Sequence, residues 1–214
     1  MKITRRAFLG ASLATGGAVL TPQTLAAPIL TTPTSPTAMP PQPPAPAPQG
    51  VLGQALAALQ RHRGQITFAD RIGIADYTAH SREFRFHIAD VEAGQITKSF
   101  LVSHGRGSDP GNSGFAQRFS NVPGSNASSK GSYLTGEAYV GKHGRSRRLH
   151  GLEAENDRAF ERAIVIHGAN YVDEAMARNQ GRVGRSLGCF AFEQSEIAEI
   201  LEVLGEGRLL FAAG

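Results

Sequence analysis

Cys189 is the only cysteine in a chain of 214 residues. It closes the run Gly184-Arg185-Ser186-Leu187-Gly188-Cys189. A lone thiol cannot form an internal disulfide. It is either a small buried apolar group or a reactive one. The glycines on its N-terminal side let the backbone turn tightly and leave N–H groups able to face an oxyanion. Upstream, Ala163-Ile164-Val165-Ile166-His167-Gly168 reads as an apolar, β-branched strand ending in a histidine and a glycine. A strand end holds an imidazole firmly and lets it reach a neighbouring loop. Cys with His is the smallest unit of thiol nucleophilic catalysis: the imidazole takes the thiol proton and the thiolate attacks. His167 alone has an ordinary structural reading. Paired with this cysteine loop, it is a candidate general base for Cys189.

The elements that must position these residues are mostly strands. Val51–Leu59 has apolar residues at helical spacing and ends at Arg63-Gly64, which predicts a helix. The period then changes to two. Arg71–Tyr77, Glu83–Ile88 and Gln95–Val102 read as consecutive antiparallel strands. The Gly/Ser/Asn-rich stretch from His104 to Gly131 is too long for an ordinary connection, and loops of that kind are often functional. Further strands are expected at Gly131–Gly136, Ala163–His167 and Arg208–Ala212, with a helix at Glu193–Leu204 whose Ile197, Ile200, Leu201 and Leu204 share a face. The expected class is mainly β with a few helices.

Composition narrows the function classes. The formal charge is +4, from 22 basic and 18 acidic residues. Lys2, Arg5 and Arg6 lie in a stretch that resembles a twin-arginine export signal, Thr4-Arg5-Arg6-Ala7-Phe8-Leu9, followed by a short Gly/Ala-rich run and an A-x-A-like site at Thr24-Leu25-Ala26. Cleavage after Ala26 leaves 19 basic against 18 acidic residues, a net charge near +1. That argues against a general nucleic-acid binder. Residues 1–26 are therefore read as a leader too short and too weakly apolar to span a membrane. Residues 27–50, rich in Pro, Thr, Ala and Gln, are read as a disordered linker, and residues 51–214 as the folded domain. The implied compartment is the periplasm or cell envelope. One basic cluster remains, Lys142-His143-Gly144-Arg145-Ser146-Arg147-Arg148, read either as a solvated loop or as a surface for an acidic polymer or peptide carboxylates.

The strand-end His167-Gly168 together with Ser186-Leu187-Gly188-Cys189 resembles the L,D-transpeptidase catalytic domain of YkuD type. Val102–Ser108, Phe119–Ser125 and Gly131–Tyr139 fit one branch of that family, and the likeness runs from about Ile66 to Gly214. It implies a β-sandwich catalytic fold. It also implies acyl transfer on peptidoglycan stem peptides. Cys189 would attack the carbonyl of the third, diamino-acid residue of a tetrapeptide, release D-alanine and form a thioester. An amine would then give a 3-3 type cross-link or attachment. By the same resemblance His167 is the proton shuttle, the Gly168 carbonyl holds its other nitrogen, the N–H groups of Gly188 and Cys189 form the oxyanion hole, and Ser186 fixes the loop. No metal or organic cofactor is required, and a monomer is expected. Two positions depart from the main pattern: Leu187 stands where a second histidine is common, and Ala191 where Asn is. The His167-to-Ser186 spacing is also slightly long. Substrate-contact candidates are Arg185, for a stem carboxylate or else a surface ion pair, Tyr133, lining the donor cleft or else packed in a strand, and His104, at a strand end before the Gly-rich loop, near the site or else polar surface. Two other readings stay open: a carboxypeptidase or endopeptidase hydrolysing the same thioester, and a non-catalytic wall-binding module. A papain-like protease fits poorly, because its cysteine precedes its histidine.

Overall fold

The computed structural model describes residues 50–214. The leader at 1–26 and all but the last residue of the 27–50 linker lie outside the described residues.

The first element is a helix, α1 (Gly50–Arg61), where Ala55, Ala58 and Leu59 form the buried stripe that the helical spacing predicts. Three strands follow: β1 (Arg71–Asp76), β2 (Phe86–Asp90) and β3 (Gln95–Phe100). They pair antiparallel in sequence order, as expected. After a long irregular segment come β4 (Gly131–Gly141), β5 (Gly144–Gly151), β6 (Val165–Gly168), the short helix α2 (Glu174–Gln180), β7 (Phe190–Phe192), α3 (Ile197–Val203) and β8 (Leu209–Ala213). All eight strands belong to one sheet, in the order β3-β2-β1-β8-β4-β5-β6-β7. The β1–β8 and β6–β7 pairs are parallel.

This sheet curls until its two ends face one another, and the sandwich character comes from that curl. Phe86 of β2 meets Phe192 of β7 edge to face at 4.7 Å between ring centroids. Ser103 N–H, beyond β3, donates to Ala191 O of β7 at 2.9 Å. The enclosed core holds Phe86, Phe100, Tyr133, Leu149, Ile166, Phe190 and Phe192, and α3 closes it with Ile200, Leu201 and Leu204. A second cluster lies under α1, against Ile72, Ile74, Leu209 and Phe211. A third lies beneath α2 and joins Ala169, Val172 and Val183 to Ala191.

The basic cluster departs from the loop reading. Gly144–Gly151 is strand β5, paired with β4 on one side and β6 on the other, and Lys142-His143 is the turn of a long hairpin. Arginine-rich sequence forms a strand here because two of its three arginines are housed, while Arg145 stays exposed. Arg147 is buried and donates to Gly136 O (2.7 Å) and Leu201 O (3.1 Å). The Arg148 guanidinium lies over the rings of Tyr139 (4.6 Å) and Phe160 (5.3 Å). Elements with weaker sequence signals, α2 and β7, complete the frame of the site.

Candidate active site

Strands β6 and β7 run parallel, and their adjacent ends bring His167 and Cys189 together. His167 pairs with Ala191 in register, and Cys189 is the residue just before β7. Both side chains line one cavity of about 420 Å³. The imidazole is buried and its Nδ1 lies 2.8 Å from Gly168 O. A carbonyl only accepts, so Nδ1 carries the proton and Nε2 presents a lone pair. The geometry thus selects the tautomer of a base. Burial holds the His167 pKa below the usual histidine value. The Gly168 carbonyl works in the opposite direction, and the charges of His143 and Lys142 reinforce the fall. His167 is therefore neutral at neutral pH. At Gly168 itself, a Cβ would collide with the side chain of Gln194.

The thiol is half-buried and donates to Ala163 O at 3.5 Å. Ala163 has φ +53°, an uncommon left-handed conformation for a residue with a side chain. Strain of this kind, of order 1–3 kcal/mol, is held only where surrounding structure dictates it. Burial pushes the Cys189 pKa up, while backbone contact at Val165 and the charges of Arg162 and Lys142 pull it down; the net direction is up. The resting thiol is thus mostly protonated at neutral pH, and deprotonation calls for a base.

The cysteine loop is held by Ser186. Its Oγ donates to Cys189 O (2.8 Å) and accepts from Gly188 N–H (3.1 Å). Gly188 has φ +116°, and a Cβ there would lie 2.7 Å from Ala127 O and 2.9 Å from Ile164 Cδ1. No other residue fits that turn. The bond to Ser186 occupies the Gly188 N–H, so in this conformation it does not face the cavity as the expected oxyanion donor. Leu187 is 53% exposed and lines the cavity, as does the half-buried Arg185, which donates to Asp109 O.

Two expected contacts lie elsewhere. Tyr133 is fully buried in the main core and donates to Ser129 O at 2.9 Å, so it does not line the cleft. His104 is 1% exposed and does not line the cavity, so it is neither a substrate contact nor polar surface. Its Nδ1 accepts from Arg85 Nη2 at 2.7 Å, and its Nε2 faces Asp109 Oδ2 at 3.4 Å. Burial first, and then the Arg85 charge, lower the His104 pKa to about 4. Asp109 is raised by burial but pulled down by N–H bonds from Ser113 and Gly114, and the net direction is down. The triad of Arg85, His104 and Asp109 still serves the site through the backbone. Ser186 N–H donates to His104 O (2.9 Å), and Arg106 N–H to Ser186 O (2.8 Å).

The cavity also contains residues without a sequence signal as site residues: Tyr139, Arg162, Ala163 and Tyr171. The hairpin turn adds Lys142 and His143, members of the basic cluster. The His143 ring stacks on His167 at 4.2 Å with 23° between planes. Lys142, Arg162 and Arg185 line this cavity, and no Asp or Glu is among its lining residues. The site therefore suits an anionic ligand. Among the described residues no group of three or more His, Cys, Asp or Glu side chains is arranged to hold a metal ion. Among them also, no helix is long and apolar enough to cross a membrane.

A family model described as the L,D-transpeptidase catalytic domain matches residues 46–213. No curated protein matches the chain. Solved structures similar to it include an L,D-transpeptidase from Mycobacterium smegmatis, at 13% identity and TM-score 0.41, covering 68% of this chain and 59% of that one. L,D-transpeptidase 1 from Mycobacterium tuberculosis has 14% identity and TM-score 0.38, with 67% and 62% covered. L,D-transpeptidase 3 from the same organism has 11% identity and TM-score 0.42, with 68% and 61% covered. The match thus spans about three fifths of the length of these chains.

Proposed function

Because the chain belongs to the L,D-transpeptidase catalytic-domain family, we propose that it is an exported enzyme that transfers acyl groups of peptidoglycan tetrapeptide stems through a thioester on Cys189. The observation that carries this reading is the shared cavity of Cys189 and His167, with the imidazole held by Gly168 O at 2.8 Å so that Nε2 is free to accept a proton.

In the first half-reaction His167 Nε2 takes the thiol proton and Sγ attacks the carbonyl of the diamino-acid residue. The C–N bond to the terminal D-alanine breaks as His167 returns the proton to the leaving amine. In the second, an amine of another stem attacks the thioester, gives its proton to His167 and releases the cysteine. That step makes a 3-3 type cross-link or attachment. The cationic lining from Lys142, Arg162 and Arg185 supports a substrate rich in carboxylates. The expected compartment is the periplasm or cell envelope, reached by the twin-arginine route, which accepts folded cargo.

The test uses intact-mass measurement with a defined tetrapeptide, with and without an amine acceptor, and with a carbapenem as acylating probe. Wild type is expected to lose D-alanine, to join donor to acceptor and to gain the carbapenem mass; Cys189→Ala does none of these. Tripeptide as the sole product in the presence of acceptor would replace the transferase with a hydrolase. No adduct and no turnover would leave only a wall-binding module.

A further inference from the structure

Arg162 is the one cation of the cavity wall whose guanidinium is clamped on both terminal nitrogens. Nη1 donates to Ser120 O (2.7 Å) and Ser129 Oγ (2.6 Å), and Nη2 donates to Ala127 O and Ser125 Oγ (3.4 Å). All four acceptors are neutral oxygens of a single loop. Among the described residues no carboxylate lies within ion-pair distance of Arg162, so its charge is fixed in place but not cancelled. Its location is as specific as its clamp. Arg162 precedes Ala163, whose carbonyl accepts the Cys189 thiol at 3.5 Å. Its Nη2 lies 3.2 Å from the point where a Cβ on Gly188 would sit, and Ala127 O, which Nη2 holds, lies 2.7 Å from that point. The guanidinium, the Ala127 carbonyl and the backbone immediately before Cys189 thus meet at one place.

We infer that Arg162 is an electrostatic positioning residue for Cys189, a locked and uncancelled cation beside the thiol that favours the thiolate. With two acceptors on each terminal nitrogen, it acts through its field and not through a new hydrogen bond. The inference rests on the reading of Cys189 as the nucleophile. The other charged or titratable groups that line the cavity with the thiol are Tyr139, Lys142 and His143 from the hairpin, His167 from β6, and Tyr171 and Arg185 from the segment between β6 and the cysteine loop, and the buried Tyr77 of the core also lies within electrostatic reach of it. Lys142 has the same sign as Arg162, but it sits on an exposed turn where solvent screens it. Burial opposes the thiolate, and the Arg162 charge offsets part of that effect.

An opposite charge at close range moves a pKa by about 1–3 pH units, and the partial exposure of this cavity argues for the lower end. The experiment follows the rate of alkylation of the full chain by iodoacetamide against pH. The thiolate displaces iodide, so the C–S bond forms as the C–I bond breaks and the rate tracks the thiolate fraction. The single cysteine makes the readout unambiguous. Arg162→Gln should raise the alkylation midpoint by about one pH unit, which is roughly tenfold slower alkylation at neutral pH, and Arg162→Lys should restore it toward wild type. A wild-type midpoint in Arg162→Gln, or an equal shift in Arg162→Lys, would overturn the inference. Thermal unfolding of each variant runs alongside. If Arg162→Gln does not fold, Ser125→Asp against Ser125→Asn decides. In Ser125→Asp the new carboxylate neutralises the arginine while the acceptors Ser120 O, Ser129 Oγ and Ala127 O remain, and it should raise the midpoint, whereas equal midpoints for the pair refute the idea. A chain that passes but turns over no tetrapeptide keeps this role for Arg162 and loses the proposed reaction.

Discussion

Replacing Ser186 with alanine isolates the one side chain that ties the cysteine loop together. The residue itself stays put, because its N–H donates to His104 O at 2.9 Å and its carbonyl accepts from Arg106 N–H at 2.8 Å. What disappears is a hydroxyl that bonds Gly188 N–H at 3.1 Å and Cys189 O at 2.8 Å. Ser186 is 3% exposed and Gly188 is buried, so water does not readily take the place of the hydroxyl. A lost hydrogen bond costs about 1 kcal/mol net, and an orphaned buried partner about 1–3 kcal/mol. Two such losses give about 2–4 kcal/mol. For a domain of this size about 2 kcal/mol corresponds to a fall in Tm of about 4–8 °C. The loop also loses the tie that orients Sγ, and misplacement by about 1 Å costs on the order of a hundredfold in rate. The assay combines thermal unfolding with the time course of carbapenem adduct formation by intact mass. Ser186→Ala should melt lower and acylate about 10- to 100-fold more slowly, and Ser186→Thr, which keeps the hydroxyl, should lie near wild type. Unchanged melting together with wild-type acylation would refute the reasoning. Faster acylation would refute it differently, by showing that Ser186 withholds the Gly188 N–H from the oxyanion.

Two further expectations concern the residues that proved to be buried. Tyr133→Phe removes a fully buried hydroxyl bonded to Ser129 O and should cost about 1 kcal/mol in urea unfolding while leaving the adduct rate unchanged; a large loss of rate at unchanged stability would return Tyr133 to the cleft. His104 has its pKa lowered to about 4, chiefly by burial. Between the ordinary histidine value of about 6.5 and that figure, the unfolded chain binds a proton that the folded chain refuses, so stability is full above the window and is lost as pH falls through it. The loss approaches roughly 3 kcal/mol by the bottom of the window. Urea unfolding at stepped pH should show a steeper acid decline for wild type than for His104→Gln, and parallel declines would count against the neutral buried histidine.

Local sequence signals single out the residues of the candidate site more readily than the architecture that positions them. Cys189, Ser186, His167 and Gly168 are legible because each carries its signal locally, in a motif or at a strand end. The first three strands and α1 are legible for the same reason, since period two and helical spacing are local properties. The misread parts depend on partners distant in the chain. Strand β5 looks like a charged loop until Tyr139, Phe160 and the carbonyls of Gly136 and Leu201 are present to take its arginines. His104 looks like a surface group until Arg85 supplies a donor and Asp109 an acceptor in the core. Arg162 had no sequence signal at all: its four acceptors lie in the Ser120–Ser129 stretch, well before it in the chain.

The same long-range partners explain how an irregular loop can hold Cys189 in register. Cys189 follows a turn and precedes a strand of only three residues, too little regular structure to be rigid unaided. The loop borrows rigidity from two sides. On one, Ser186 is stitched to His104 and Arg106, whose own segment is pinned by the buried Arg85 and Asp109. On the other, the Ala127 carbonyl abuts Gly188 and is itself gripped by Arg162. Both supports come from the long Gly/Ser/Asn-rich segment between β3 and β4. That segment therefore serves as the mould of the cysteine loop, and its length follows from having to reach both flanks. Damage there, at Asp109 or Ser129, is expected to lower acylation without touching any group that meets substrate.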